Sequence, residues 1–138
     1  MPAVEVRDNH PEILTRAVLN YLTELEKGDP ESIIPLFSPS AVILSPFLGN
    51  MAPRPFFEKL KSASGPSKIT PIDICVSQQG YPRATGYFRY DWVLQDGTPA
   101  PFECVDVFEF DTEGLITKMT IIYDTYPIRE LVGDKYSS

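Results

Sequence analysis

The sequence predicts an α+β domain in which helices come first and antiparallel strands follow. Apolar residues recur at helical spacing between Leu14 and Leu25. From Ile69 onward the period changes to two, which is typical of strands with one buried face. Asp96-Gly97 is a strong hairpin signal, so the strands on its two sides are expected to run antiparallel. Helices that are segregated from an antiparallel sheet belong to the α+β class.

Three helices are predicted before the main part of the sheet. The first starts around Asp8–Glu12, with a proline in its first turn and an acid near its positive end, and it ends at Gly28. The segment Asp29–Glu31 caps and starts the second helix, which Ser38–Ser40 breaks. Pro53 starts the third helix.

A short apolar strand and a four-stranded meander complete the predicted fold. A long meander curls to bury one face, so the helices can cover its concave side and leave a cone-shaped pocket. The tail Thr125–Ser138 is expected to pack through Ile128 and Leu131. The predicted strands are Ala41–Ser45, one that includes Ile72–Val76, Arg83–Gln95, Pro101–Asp111 and Leu115–Asp124.

Length and charge limit the class of protein. With 138 residues, the chain is expected to form a single domain, 1–138, with its core in about residues 12–124. A net charge of −7 argues against nucleic acid and anionic membranes as partners. The sequence has no run of about 18 apolar residues that would span a membrane. Met1–Glu12 lacks the apolar region of a secretion signal, so the expected location is cytoplasmic.

The cysteine and histidine content predicts neither a metal site nor a cofactor. The chain has two cysteines, Cys75 and Cys104, one histidine, His10, and no Cys-x-x-Cys motif. Zinc and haem sites are built from clusters of such ligands. Both cysteines lie in predicted strands, where free buried thiols are favoured over a disulfide.

The segment Phe102–Asp111 places one acid on an otherwise apolar strand face. Alternation puts Asp106 on the same face as Cys104, Phe108 and Phe110. Burial of a lone carboxylate is costly unless the group is bonded or neutral. Asp106 is therefore either a structural acid bonded to a neighbour or a functional acid held protonated in a pocket.

Three segments carry a family resemblance, namely Tyr21 with Gly28–Ile33, then Ala41–Phe47, then Val105–Ile116. Over about Leu14–Asp124 the chain resembles the nuclear transport factor 2-like superfamily, in particular its SnoaL-like and ketosteroid isomerase-like branch. The resemblance implies a cone-shaped, curved antiparallel sheet with three N-terminal helices that enclose a pocket.

The ketosteroid isomerase-like resemblance implies a pair of acidic donors. Tyr21 falls where that family keeps its oxyanion-hole tyrosine, and Asp106 falls where it keeps a protonated aspartic acid. Two positions depart from the family pattern. Ser45 stands in place of the general base, and Leu60 stands in place of a further pocket tyrosine. Serine is a poor base without a partner, so the resemblance implies a donor pair that faces a pocket.

A second resemblance, to limonene epoxide hydrolase-like proteins, rests on other positions. Arg89 and Asp91 match an Arg-x-Asp on a middle strand, and Asp124 matches an acid that ends the last strand. That family uses these groups to activate water and protonate an epoxide, and SnoaL-like cyclases use an acid at the place of Asp124. Ile43 and Ser45 depart from the family's water-holding tyrosine and asparagine. Arg89 is expected to keep Asp91 charged.

These residues also have structural interpretations. Tyr21 lies on the apolar stripe of its helix and fits a core tyrosine. Arg89 and Asp91 fit a same-face ion pair, and Asp124 fits a cap for the tail. If Tyr123 faces the pocket, alternation points Asp124 away from it unless a bulge intervenes.

The pocket is expected to be mainly apolar, and the outer face of the sheet is expected to be covered by a second copy of the chain. Tyr90, Trp92, Val105 and Val107 are predicted to face outward, which suits a homodimer. The residues predicted to contact the substrate are Ser45, Phe47, Phe56, Leu60, Phe108, Met119 and Tyr123.

The leading functional hypothesis is a cofactor-independent enzyme that acts on a small hydrophobic molecule by general acid–base chemistry. Tyr21, Arg89, Asp91, Asp106 and Asp124 are its candidate catalytic residues. The reaction class is isomerisation or cyclisation of a polyketide, terpenoid or steroid-like substrate. Two alternatives stay open, epoxide hydrolysis and a non-catalytic, dimeric module that binds a small ligand.

Overall fold

The structure is a computed structural model in which residues 10–132 are described. Helices and one six-stranded sheet form the domain, which confirms the predicted α+β class. The predicted helix start at Asp8 and the tail residues 133–138 lie outside the described part. Within that part, no helix is both long enough and apolar enough to cross a membrane. The N-terminal helices are α1 His10–Lys27, α2 Pro30–Ile33, which continues into a 3₁₀ turn at Ile34–Leu36, and α3 Pro53–Ala63.

The local sequence accounts for the helix ends. Gly28, with φ of +76°, ends α1 in the left-handed conformation that glycine adopts without strain. Asp29 caps α2, because its Oδ1 accepts a hydrogen bond of 3.1 Å from the N–H of Glu31. Pro53 occupies the first turn of α3, where a missing N–H costs nothing. The three predicted helices are therefore confirmed.

Six strands form one curved sheet that does not close. They are β1 Phe37–Ser45, β2 Gly49–Met51, β3 Lys68–Val76, β4 Arg83–Asp91, β5 Phe102–Phe110 and β6 Ile116–Ile122. The order across the sheet is β2-β1-β6-β5-β4-β3. All neighbours run antiparallel except β1 and β6, which run parallel. The predicted meander is confirmed, and β1 with β2 extends it on one side.

The largest differences from the predicted strand boundaries occur at two strand ends. The first strand starts at Phe37 rather than Ala41, because a register shift against β6 accommodates Ser38–Ser40 within the strand. Strand β4 ends at Asp91 rather than Gln95, since only isolated bridges continue the pairing beyond it.

Helix α1 packs across β3 and β4 and approaches the sheet closely at Gly86. A Cβ at that position would lie 2.8 Å from Cγ1 of Val18. Gly86 is also the partner of Asp106 in the pairing of β4 with β5. Tyr21 lies three residues after Val18 and therefore on the same side of α1. The absence of a side chain at Gly86 thus brings Tyr21 towards Asp106.

After β6 the chain forms a 3₁₀ turn at Tyr126–Ile128 and a short helix, α4, at Arg129–Val132. Ile128 is buried, as predicted. Leu131 is 39% exposed, so the prediction that it packs on the domain is wrong. Ile128 ends the 3₁₀ turn and Leu131 lies in α4, so the two side chains belong to helical elements of different period and do not share a face.

Both cysteines are free thiols. Cys104 on β5 is buried, as expected, whereas Cys75 on β3 is exposed. The expected burial of Cys75 is wrong because β3 is an edge strand whose side chain at that position faces solvent.

Candidate active site

A cavity lies among α1, α3 and the concave face of the sheet. Its empty volume is about 510 Å³, including the space at its mouth. Most of the lining is apolar or aromatic, and Asp106 is the single carboxyl group among the lining residues that the structure describes. The cavity is lined by Tyr21, Leu25, Ser45, Phe47, Leu48, Phe56, Leu60, Phe88, Tyr90, Trp92, Phe102, Cys104, Asp106, Ile121 and Tyr123.

Asp106 is buried in the wall of the cavity, with 2% of its surface exposed. The thiol of Cys104 donates a weak hydrogen bond to Oδ1 of Asp106, with a sulfur–oxygen distance of 3.9 Å. Burial raises the pKa of Asp106 to about 8, and the hydrogen bond from Cys104 opposes that rise. The carboxyl group is therefore mainly neutral near pH 7, as the apolar strand face predicts, and it can donate a proton.

Tyr21 reaches the same part of the cavity from α1. Its ring is buried and stands edge-on to Phe108, with 5.2 Å between the ring centroids. Burial raises the pKa of the Tyr21 phenol well above its ordinary value, and the charges of Asp106, Tyr90 and Cys104 raise it further. Tyr21 therefore stays protonated and is a second neutral donor in the cavity that Asp106 lines.

Aromatic rings form another part of the wall. Tyr90 stacks with Trp92 at a centroid distance of 6.1 Å, and Phe102 stacks with Tyr123 at 4.3 Å. The indole N–H of Trp92 donates a hydrogen bond of 2.7 Å to Oγ of Ser64, which fixes the indole at the end of α3. Such rings offer flat, apolar surfaces to a ligand.

The prediction that Tyr90 and Trp92 face outward is wrong. Both are buried and line the cavity. Along β4, the inward positions are those of Gly86, Phe88 and Tyr90, and alternation places the intervening residues outside.

Arg89 and Asp91 consequently lie on the outer face of the sheet. Their side chains are 45% and 42% exposed, and Nε of Arg89 lies 3.0 Å from Oδ1 of Asp91. The structure shows the same-face ion pair that was the alternative interpretation. The expectation that these two residues share a pocket with Asp106 is wrong, because the phase of β4 is opposite to the one assumed.

Asp124 also lies outside the cavity. Its side chain is exposed, and its Oδ1 accepts a hydrogen bond of 3.0 Å from the N–H of Tyr126. It therefore caps the turn that follows β6, which was its structural interpretation. Tyr123 faces the cavity, so alternation points Asp124 away, and the expected place of Asp124 in the pocket is wrong.

Five of the seven residues predicted to contact a substrate lie in the cavity lining. They are Ser45, Phe47, Phe56, Leu60 and Tyr123. The other two, Phe108 and Met119, are fully buried in the core and face each other across β5 and β6. Their expected place in the lining is wrong, because Tyr21 packs over Phe108 and closes that part of the cone.

Other lining residues were absent from the predicted contact set. Leu25 was within reach of sequence reasoning, because it lies four residues after Tyr21 on the same helix face. Phe88 was also within reach, since it shares its strand face with Gly86. Leu48 lies in a turn, where no periodic pattern marks it. The lining residues that the prediction omitted are Leu25, Leu48, Phe88, Tyr90, Trp92, Phe102, Cys104 and Ile121.

A second groove adjoins the cavity. Its empty volume is about 910 Å³, and it shares Leu25, Leu60 and Tyr90 with the cavity. Its acid, Glu26, accepts a hydrogen bond of 2.8 Å from the N–H of Ile69 and so holds α1 to β3. Between residues 10 and 132, no three His, Cys, Asp or Glu side chains are grouped so as to bind a metal ion.

Solved structures with a similar fold belong to several different proteins. SalBIII is an epoxide hydrolase/cyclase-like enzyme with a role in pyran ring formation in the polyether salinomycin. It has 20% sequence identity and a TM-score of 0.72, over 83% of this chain and 92% of that one. PrhC from Penicillium brasilianum NBRC 6234 has 16% identity and a TM-score of 0.78, over 93% and 90%. A protein of unknown function from Methylobium petroleophilum PM1, with a cystatin-like fold, has 16% identity and a TM-score of 0.68, over 81% and 76%.

The fold is of the cystatin-like type. The sequence matches no protein-family model and no curated protein. At these levels of identity the likeness establishes the fold alone, because this architecture carries many unrelated functions.

Proposed function

We propose that the chain is a small-molecule enzyme of the cyclase or isomerase type, which uses Asp106 as a general acid in an apolar cavity. The observation that carries the proposal is a buried, mainly neutral carboxyl group placed together with the Tyr21 phenol in an aromatic wall. A pocket with a few convergent polar groups and one strongly perturbed acid is typical of an active site.

Two neutral donors suit a substrate oxygen that gains negative charge during the reaction. Donors that the fold already holds in place stabilise such an oxygen without reorganisation. Removing one donor of this kind typically slows a reaction by about 100- to 1000-fold. Asp106 can also transfer its proton, because a pKa of about 8 lies close to working pH.

The lining offers donors but no ionised base near neutral pH. Oγ of Ser45 accepts a hydrogen bond of 3.0 Å from the N–H of Leu48 and is occupied in that turn. Burial raises the pKa of the Cys104 thiol, which therefore stays protonated. Asp91 and Asp124 lie outside the cavity. A reaction in which the substrate supplies its own nucleophile fits this set better than one that needs a protein base or an activated water.

Ring closure of a hydroxy-epoxide is such a reaction. The hydroxyl oxygen attacks a carbon of the epoxide in the same molecule, and the new C–O bond forms while the epoxide C–O bond breaks. The epoxide oxygen takes the proton of Asp106, and the resulting carboxylate receives the proton released by the attacking hydroxyl. No atom is gained or lost, so the net reaction is an isomerisation that forms a ring. The pyran ring formation associated with SalBIII, on the same fold, supports this reaction class.

The walls favour a neutral and largely apolar substrate. Tyr90, Trp92 and Phe102 present aromatic rings, and the lining carries no lysine or arginine that would pair with an anion. Compounds with flat or partly saturated rings, of the polyketide, terpenoid or steroid kind, match these surfaces.

Ligand binding can be measured directly through Trp92, which is the only tryptophan of the chain and lines the cavity. We suggest fluorescence titrations with α-tetralone and with tetralin, which has the same rings but lacks the carbonyl oxygen. Wild-type protein is expected to prefer the ketone, and Asp106→Ala is expected to lose that preference. Equal affinity of both ligands for the wild type would contradict the donor role of Asp106.

Turnover of a panel of aryl-substituted hydroxy-epoxides tests the chemistry. Asp106→Asn keeps the shape and a donor but cannot transfer a proton, so its rate is expected to fall about 100-fold or more. Asp91→Asn and Asp124→Asn are matched controls, because both acids lie outside the cavity, and both are expected to keep full activity. A wild-type rate in Asp106→Asn would overturn the general-acid role. Ketone-selective binding without any turnover would favour a non-catalytic binding module.

A further inference from the structure

We propose that Cys104 is a positioning residue for Asp106. Its thiol holds Oδ1 as a hydrogen-bond acceptor, so that the acid carries its proton on Oδ2 and presents it to the ligand. This inference rests on the proposed function, because it concerns the orientation of the acid used there.

The strand geometry brings the two groups together. Cys104 and Asp106 are two residues apart on β5, so both side chains leave the same face, and both line the cavity. They are 3% and 2% exposed, and 3.9 Å separates Sγ from Oδ1. A contact that is shielded from water in this way is not weakened by competing solvent.

The side chains that pair with Asp106 on the neighbouring strands cannot orient its carboxyl group. The residues that pair with Asp106 are Gly86 on β4 and Ile121 on β6. Neither side chain contains a hydrogen-bonding group, so the cross-strand positions cannot orient the carboxyl.

The protonation states agree with this arrangement. A neutral carboxyl has one carbonyl oxygen and one hydroxyl oxygen, and a thiol that donates to Oδ1 selects that oxygen as the carbonyl. Burial raises the pKa of the Cys104 thiol, which therefore remains a donor. The other titratable side chains that line the cavity are Tyr21 from α1, Tyr90 from β4 and Tyr123 after β6.

The same hydrogen bond affects the acidity of Asp106. A donor to a carboxylate stabilises the charged form, and the thiol accordingly lowers the pKa of Asp106 against the larger effect of burial. Removing the thiol is therefore expected to move the titration midpoint of Asp106 further upward. If Cys104 merely filled space, its replacement by alanine would reduce the burial of Asp106 and would lower the midpoint or leave it unchanged.

The experiment compares Cys104→Ala, Cys104→Ser and the exposed control Cys75→Ala with the wild type. The titration midpoint of Asp106 is followed by carboxyl ¹³C NMR of labelled, ligand-free protein, with Asp106→Asn to assign the signal. We expect a higher midpoint in Cys104→Ala, a midpoint in Cys104→Ser below that of the alanine variant, and no change in Cys75→Ala. Equal midpoints in the wild type and in Cys104→Ala would overturn the inference.

A second measurement tests the orientation of the proton. The preference for α-tetralone over tetralin is expected to fall about threefold in Cys104→Ala, which corresponds to a weak hydrogen bond, and to recover in Cys104→Ser. If the alanine variant does not fold, the serine variant still tests the proposal through its midpoint, which should lie at or below that of the wild type. The two proposals can fail separately. An unchanged ketone preference in Asp106→Ala contradicts the proposed function, whereas an unmoved midpoint in Cys104→Ala contradicts only the role of Cys104.

Discussion

The burial of Asp106 makes the stability of the whole chain depend on pH. Its pKa is about 8 in the folded state, against an ordinary value of about 4 in an unfolded chain. Between these values the folded state binds the additional proton, so the stability that comes from protonation is complete below about pH 4 and is lost as pH rises towards 8.

We therefore expect Asp106→Asn to become more stable relative to the wild type as pH rises from 5 to 8. The change is about 1.4 kcal/mol for each pH unit within that window, as an upper limit. Urea unfolding at pH 5, 6.5 and 8 measures it, with Asp91→Asn as the control that should follow the wild type. Parallel stability profiles for Asp106→Asn and the wild type would show that Asp106 does not titrate in this window.

The sequence predicts the position of some candidate residues correctly and of others wrongly. Asp106 was predictable because its strand face is otherwise apolar, so only one phase of alternation buries β5 well. The prediction for Asp91 is wrong because it takes the phase of β4 from the resemblance to an Arg-x-Asp motif and not from burial. The outward ion pair with Arg89 is the solution that physical chemistry favours, since it leaves two charges in water.

The contact between α1 and β4 determines how close Tyr21 comes to Asp106. The inward positions of β4 include Ala84 and Gly86, which are small, and the helix packs against Gly86. Helical periodicity predicts α1 well, but no local pattern in the sequence states where a helix lies on a sheet. Gly86 indicates where the helix approaches the sheet. Its position opposite Asp106 can be inferred only when the strand register is known.

Gly86→Ala is expected to destabilise the protein by about 1–3 kcal/mol, because the new methyl group meets Val18 in a packed core. Its φ angle is not a cause, since Gly86 is not among the glycines with positive φ. The double variant with Val18→Ala relieves the clash, so a double-mutant cycle should give a favourable coupling energy. Thr85→Ala, on the neighbouring outward position, is the control. Additive losses in the cycle would contradict the contact.

The outer face of the sheet carries exposed apolar side chains and is therefore a candidate interface with another molecule. The fold class followed from the sequence because segregated helices and a meander permit few architectures. The partner of a sheet face does not follow in this way, since it depends on which side chains the phase of each strand leaves outside. With Tyr90 and Trp92 inside, the outward apolar residues are Ile72, Tyr87, Val105, Val107 and Ile122.

We propose that a second copy of the chain covers this face. Ile122 is 53% exposed at the β6 end of the patch, next to Val105 on the neighbouring strand. Part of the charge on this face is paired within one copy, as Arg83 with Glu109 at 3.9 Å and Arg89 with Asp91 at 3.0 Å. These ion pairs reduce the repulsion between two such faces that meet around a twofold axis, although each chain carries a net charge of −7.

Sedimentation at micromolar concentration is expected to give a dimer for the wild type. Ile122→Lys places a charge within the apolar patch, at its most exposed residue, and because its desolvation in an interface is costly, the variant should sediment as a monomer. Ile13→Lys makes the same change at an exposed position of α1, away from the sheet, and should remain dimeric. A monomeric wild type would refute the interface, and a dimer that survives Ile122→Lys but not Ile13→Lys would move it to the helix side of the domain.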